Sequence, residues 1–260
     1  MISVICNLKF SMTKHTKTKF IVFGQSRSGS TLLINLLNCH PQIMADQEIY
    51  NPLNIPVLLK PLKSVICGYP MPYANYRMWQ STKPVYGFKL LFFQVQKPEK
   101  FLSQLARNNW KFIHIHRDNI WQIALSNIMA MKTNHWHRHT GDESTTETII
   151  IKPERLLNAL KTRTQWKTKE FEMIKPYRHL SINYEKDLKD SNNWQATTDK
   201  IFNYLGLESH TVTSTMKTTY QKPYSELIEN YDELTRLVKG SEFAHLINDK
   251  EMIMDFDKIR

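Results

Sequence analysis

Glycine is scarce in this 260-residue chain: it has seven, where ordinary usage of about 7% would give roughly 18. The positions of those few therefore carry information. Cysteine is sparse too, and Cys6, Cys39 and Cys67 fall at neither paired nor metal-like spacing. An odd count of this kind argues against a disulfide scaffold and fits a reducing compartment. No apolar run approaches the ~18 residues that would cross a membrane. The opening MISVICNLKFSMTKHTKTK has too short an apolar stretch and no small-residue cleavage site for a signal peptide. A soluble cytoplasmic protein is the expectation. Acid is the most unevenly missing component, since none occurs in the first 45 residues. Residues 1–140 hold 17 basic and 4 acidic side chains, and residues 141–260 hold 18 and 20. A polyanion handled by the N-terminal half would account for this, whether phosphate, nucleic acid or a membrane surface.

What is present suffices for a core. At 41% hydrophobic and 23% charged, the chain is outside the disordered class. Phe20–Phe23 reads as a buried strand, and Leu32, Leu33, Leu36 and Leu37 follow at helical spacing. Strands are expected again at Val85–Phe93, Lys111–His116 and His179–Tyr184. Helices are expected at Pro98–Arg107, Ile120–Ala130, 153–176 and Trp194–Leu205, the last closed by Gly206. Residues 51–80 read as irregular or short helical structure, 134–150 as a loop, and the tail from Ser225 as helical. Strands alternating with helices predict an α/β fold, a mainly parallel sheet with helices on both faces and a helical C-terminal segment. With no linker in view, residues 20–260 are expected to form one domain behind a poorly ordered extension, 1–19.

Residues 24–31 read GQSRSGST between the first strand and its helix. Gly24 and Gly29 have the spacing of the phosphate loop G-x-x-x-x-G-K-[ST], with Ser30 where the lysine would stand and Thr31 in the last place. Backbone N–H groups of such a turn, together with a helix N-terminus, cradle an anion. Without the lysine, the kinase-type β/γ-phosphate clamp is compromised. The only cation of the loop is Arg27, whose planar donors suit a dianion.

FGQSRSGSTLLINLLN (23–38) resembles the 5′-phosphosulfate loop of sulfotransferases that use 3′-phosphoadenosine 5′-phosphosulfate (PAPS). FIHIHRDNIWQIALSNIMAMKTNHW (112–136) resembles their 3′-phosphate strand–loop–helix, most nearly in bacterial carbohydrate sulfotransferases of the Nod-factor and trehalose types. INYEKDL (182–188), YLGL (204–207) and QKPYSELIENYDEL (221–234) are similar to later family segments. The resemblance covers most of residues 20–247 and implies a P-loop-like fold and sulfuryl transfer from PAPS, with no metal. The acceptor it implies is a hydroxyl of a carbohydrate or glycoconjugate, with a carbohydrate or glycolipid as the partner molecule. It implies binding of PAPS by Ser26, Arg27, Ser28, Gly29, Ser30 and Thr31, and of the 3′-phosphate by Arg117 and Ser126. Tyr184 matches a family tyrosine near the adenosine. Lys217 and Lys222 are further candidates for covering the 3′-phosphate.

In-line sulfuryl transfer needs a base for the acceptor hydroxyl and positive charge for the departing phosphate. Glu48 lies seventeen residues after Thr31, the spacing of the trehalose-type catalytic glutamate, and is the candidate base, with Asp46 as understudy. Arg27 and Lys89 are the other catalytic candidates; Lys89 stands in GFKL, where both bacterial types have Gly-x-Lys. His114 and His116 alternate on a strand and read as packing residues. His135, His137 and His139 invite a zinc reading but bring no cysteine or carboxylate with them, so a loop or acceptor-site rim is favoured, and Trp136 is a candidate for stacking on a sugar. Two other classes remain in view. A divergent ATP-using kinase is disfavoured by Ser30 and by the absence of a clear strand-end aspartate for Mg²⁺. A nucleic-acid-binding module, which predicts a basic stripe, is disfavoured because the excess is confined to the half with both anion motifs. Neither a nucleic-acid partner nor a transmembrane segment is therefore expected.

Overall fold

A computed structural model describes residues 17–134, 136, 138, 139, 148–217 and 222–247. Its strands are β1 (Thr18–Gly24), β2 (Ile43–Glu48), β3 (Val85–Leu91), β4 (Trp110–His116), β5 (Arg138–His139), β6 (His179–Asn183) and β7 (Met216–Lys217). The α-helices are α1 (Ser30–Leu37), α2 (Lys63–Gly68), α3 (Pro70–Gln80), α4 (Pro98–Arg107), α5 (Ile120–Thr133), α6 (Pro153–Ile174), α7 (Trp194–Leu205), α8 (Tyr224–Leu227) and α9 (Tyr231–Lys239). Five strands form a parallel sheet in the order β2-β3-β1-β4-β6, while β5 and β7 pair as a small antiparallel ribbon. The α/β fold and its mainly parallel sheet are as the sequence implied.

Alternation along the central strand builds two cores. Phe20 and Val22 pack with Leu33, Leu37, Ile201 and Phe202, on the side of α1 and α7. Ile21 and Phe23 pack with Ala74, Phe101, Leu102 and Met173, on the side of α3, α4 and α6. At eight residues, α1 is shorter than the ~12–15 residues at which an isolated helix becomes marginal. Packing holds it: Leu33, Ile34, Leu36 and Leu37 are fully buried, each worth about 1.5–3 kcal/mol against exposure. Gly24 ends β1 against β4, and a Cβ there would lie 2.3 Å from the Ile115 carbonyl oxygen. Only glycine lets the chain leave the sheet at this point.

Several boundaries differ from expectation. Thr18 and Lys19 already belong to β1, so the chain joins the sheet inside the expected extension; residues 1–16 lie outside the described residues. β6 stops at Asn183, freeing Tyr184 to begin one wide helical turn, Tyr184–Leu188. The strand β2 was not expected at all. Its sequence, IMADQE, is poor in strand-favouring residues after the first two, and pairing with β3 supplies what local preference does not. Gly206 caps α7 in the left-handed conformation, as its position implied.

Candidate active site

β1 and its neighbours β3 and β4 run parallel, but the chain leaves β1 towards the β2 edge of the sheet and leaves β3 and β4 towards the β6 edge. Open α/β sheets bind ligands outside the carboxyl ends of their strands at such a switch point. The loop 25–29 leaves β1 there, with two residues in left-handed conformations, Arg27 (φ 69°) and Gly29 (φ 86°). Alternating left- and right-handed residues turn successive N–H groups towards one anion. No side chain caps the first turn of α1, whose N–H groups and positive dipole end face the same region. Gly29 is needed twice over, because a Cβ would also lie 2.4 Å from the Tyr184 ring.

The loop hydroxyls divide by task. Ser28 is buried and donates to the Gln25 carbonyl at 2.7 Å. Ser26 Oγ accepts from Arg163 at 3.1 Å. These two therefore fasten the loop to the protein. Thr31 Oγ1 accepts from Lys89 Nζ at 3.0 Å, and Ser30 is buried at the start of α1.

Arg27 and Arg117 meet. Arg117 Nη1 donates to the Arg27 carbonyl at 3.4 Å, and its guanidinium carbon sits 4.5 Å above the Tyr184 ring. Glu185 holds Arg117 through Nε at 3.2 Å and also accepts the Asp118 and Asn119 N–H groups, which fixes the turn after β4. Ser126 of α5 adjoins the Arg27 side of this pair. Its Oγ accepts from Arg27 Nε at 2.8 Å, while Arg27 Nη1 donates to the Trp136 carbonyl at 2.6 Å. One arginine thus joins the phosphate loop, α5 and the segment after it.

On the other side of the loop, Lys89 is only 4% exposed. Its Nζ lies 2.7 Å from Glu48 Oε1. Burial lowers the Lys89 ammonium from its ordinary value, while Glu48 pulls it back up and Arg27 adds to the lowering. Glu48 Oε2 accepts from Gln94 at 2.7 Å and from Asn51 at 3.2 Å. Asp46 points elsewhere, to Arg77 and the Tyr86 hydroxyl, both at 2.8 Å. On an unbroken strand these two acids would face one side. A register shift between Asp46 and Glu48 intervenes, and such bulges re-aim side chains. Asp46 is sent to the α3 face and Glu48 to the phosphate loop.

Arg163 of α6 escaped the sequence reading. Buried at 4% exposure, it reaches Gln25 Oε1, the Ser26 carbonyl and Ser26 Oγ, all neutral acceptors. Burial first, then the charge of Arg27, pushes its guanidinium down to about 10, opposed by Glu170. The signal was there: the buried residues of α6 include Leu156, Leu160, Arg163, Glu170, Met173 and Ile174. Two charges interrupt an apolar stripe. Glu170 faces the fully buried His114, with Oε1 2.7 Å from Nε2, so His114 is a paired core residue. Lys217 is in β7 opposite Arg138, and Lys222 is exposed. His135 and His137 lie outside the described residues, and His139 is placed only by its pairing with Met216. Among the described residues, no helix is long and apolar enough to cross a membrane, and no three side chains of metal-ligating type cluster.

No protein-family model matches the chain, and no curated protein matches it. Solved structures do. A sulfotransferase from Alicyclobacillus acidocaldarius aligns with a TM-score of 0.52 at 14% identity, over 89% of this chain and 93% of that one. The mouse sulfotransferase SULT7A1 complexed with PAP aligns over 92% of this chain and 88% of its own, at 14% identity and a TM-score of 0.43, too loose a likeness to carry an argument. The chain shares its mainly parallel, helix-flanked α/β fold with the first of these.

Proposed function

We propose that this chain is a PAPS-dependent sulfotransferase acting on a hydroxyl of a carbohydrate or glycoconjugate. One observation carries the reading: a phosphate loop without its lysine has, on one flank, two arginines in contact and, on the other, a buried lysine tying a carboxylate to the loop threonine. The donor set fits a nucleotide phosphorylated on both sides of its ribose. The N–H groups of 27–31 and the first turn of α1 suit the 5′ end. Arg27, Arg117 and Ser126 suit the 3′-phosphate, and Tyr184 offers a ring beside them. When bound, PAPS supplies an activated sulfuryl group on a phosphate leaving group.

The protein's own residues supply the rest. Glu48 takes the proton of the acceptor hydroxyl at its carboxylate. Lys89 holds that carboxylate in place and presents positive charge beside Thr31, where negative charge grows on the departing phosphate. Arg27 does the same from the other flank. Arg163 braces the loop from beneath and adds a buried positive charge. The neighbouring fold of the Alicyclobacillus sulfotransferase supports the reading, as do the motifs in their order. Calorimetry with adenosine 3′,5′-bisphosphate against ADP with Mg²⁺, followed by transfer of labelled sulfate from PAPS to a panel of sugars and glycolipids, tests it. Tighter binding of ADP with Mg²⁺ would assign the site to a kinase instead.

A further inference from the structure

Between Glu48 and Glu99 the chain has fifty residues without one acid and with six lysines and arginines. Within that stretch, residues 56–65 contain no buried side chain, although Val57, Leu58, Leu62 and Val65 are among them. Leu58 is 91% exposed and the other three are more than half exposed. Buried Ile55 and Ile66 anchor the segment at its two ends. In the short helical turn Val57–Leu62 and the start of α2, Leu59 packs against the core while Val57, Leu58, Leu62 and Val65 are displayed. Exposed Lys60 and Lys63 are interleaved with them. A second stripe accompanies this one: Pro72, Tyr76 and Trp79, at helical spacing on α3, are exposed, Trp79 at 76%. Scattered exposed apolar residues are ordinary; this many in one short stretch mark a contact surface.

We infer that residues 53–65 dock on an anionic lipid bilayer, with Val57, Leu58, Leu62 and Val65 entering the headgroup layer and Lys60 and Lys63 meeting anionic headgroups. The chemistry is that of interfacial segments, in which an apolar face inserts and basic residues add attraction to the negative surface. A second copy of the chain is disfavoured as occupant, because a two-fold contact through this patch would set its lysines against their equivalents with no acid of the patch to offset them. The segment is tied directly to the site. Asn51, just before it, and Asn54, at its start, donate to the Glu48 carboxylate and carbonyl, and exposed Leu53 donates its N–H to Asn51. Docking there sets the Glu48 end of the site against the bilayer. That the acceptor hydroxyl belongs to a lipid-anchored molecule follows from this only if the proposed transfer reaction is correct. The docking itself does not depend on it.

The test is sedimentation of the full-length protein with vesicles of phosphatidylcholine alone and of phosphatidylcholine mixed with phosphatidylserine. Binding to the mixed vesicles is expected, weakened about tenfold or more by L58S/L62S and by K60E/K63E. Both pairs replace exposed side chains, so melting temperature and calorimetric affinity for adenosine 3′,5′-bisphosphate should stay at wild-type values. Wild-type protein left in the supernatant with mixed vesicles would overturn the proposal. So would equal binding by L58S/L62S, or a concentration-dependent dimer that this pair abolishes in the absence of vesicle binding. Vesicle binding by a protein with no affinity for the bisphosphate would uphold the docking and sink the transferase reading.

Discussion

Lys89 and Glu48, neighbours across β2 and β3, share a contact of 2.7 Å between Nζ and Oε1, and the same ammonium donates to Thr31 of the phosphate loop. The carboxylate proposed as base is thereby held one side chain away from the proposed leaving-group site. Glu48→Gln keeps the shape and the Gln94 and Asn51 neighbours but not the proton acceptor. Steady-state assays should show turnover lower by roughly 10²–10⁴-fold, with affinity for adenosine 3′,5′-bisphosphate within about threefold of wild type. Asp46→Asn should lower the melting temperature, through Arg77 and Tyr86, more than it lowers turnover.

Gly29 and Gly206 both have left-handed φ, but only Gly29 faces a wall, the Tyr184 ring. Gly206→Ala should cost on the order of 1 kcal/mol in chemical denaturation and leave nucleotide binding unchanged. Gly29→Ala should cost more and reduce bisphosphate affinity about tenfold or more, since the loop must shift to admit the methyl group.

The buried guanidinium of Arg163, at about 10, gives a proton-linked signature. Its value in the fold lies below that of the unfolded chain, so from about pH 10 upward, until the unfolded chain's guanidinium also titrates, the unfolded state binds more protons. Stability from this group therefore rises as pH rises through that window. A bound bisphosphate restores the charged form, so binding near pH 10 should take up protons. Calorimetry in two buffers of different ionisation enthalpy reads that uptake, and Arg163→Met should reduce it, with Lys89, whose ammonium burial also lowers, contributing what is left.

His114 and Glu170 are paired inside the core, at 0% and 1% exposure. Removing one partner of a buried pair commonly costs about 3–5 kcal/mol. Glu170→Ala should show a loss of that size in denaturant unfolding. It should also move the pH 10 proton uptake to lower pH, because Glu170 raises the Arg163 value.

The turn between β1 and α1 was legible because its signal is local: two glycines, a small polar turn and an apolar helix follow one another within sixteen residues. The helices α4 and α7 were legible from local pattern, with Gly206 marking the end of α7, and match their expected limits of Pro98–Arg107 and Trp194–Leu205. β2 was not, because IMADQE has no strand pattern of its own and exists by pairing with β3. Arg163 was missed because a charge on an apolar stripe gains a purpose only from the loop it reaches, 137 residues earlier.

The chain's order of residues alone determined the alternation of strand and helix and the position of the glycine-flanked turn between β1 and α1, since both arise from neighbours in sequence. Which way Glu48 points, that Ser126 serves Arg27, and that Arg163 lies beneath the loop were decided only on folding. Each depends on groups brought together from distant parts of the chain, and in the case of Glu48 on a single register shift between two strands.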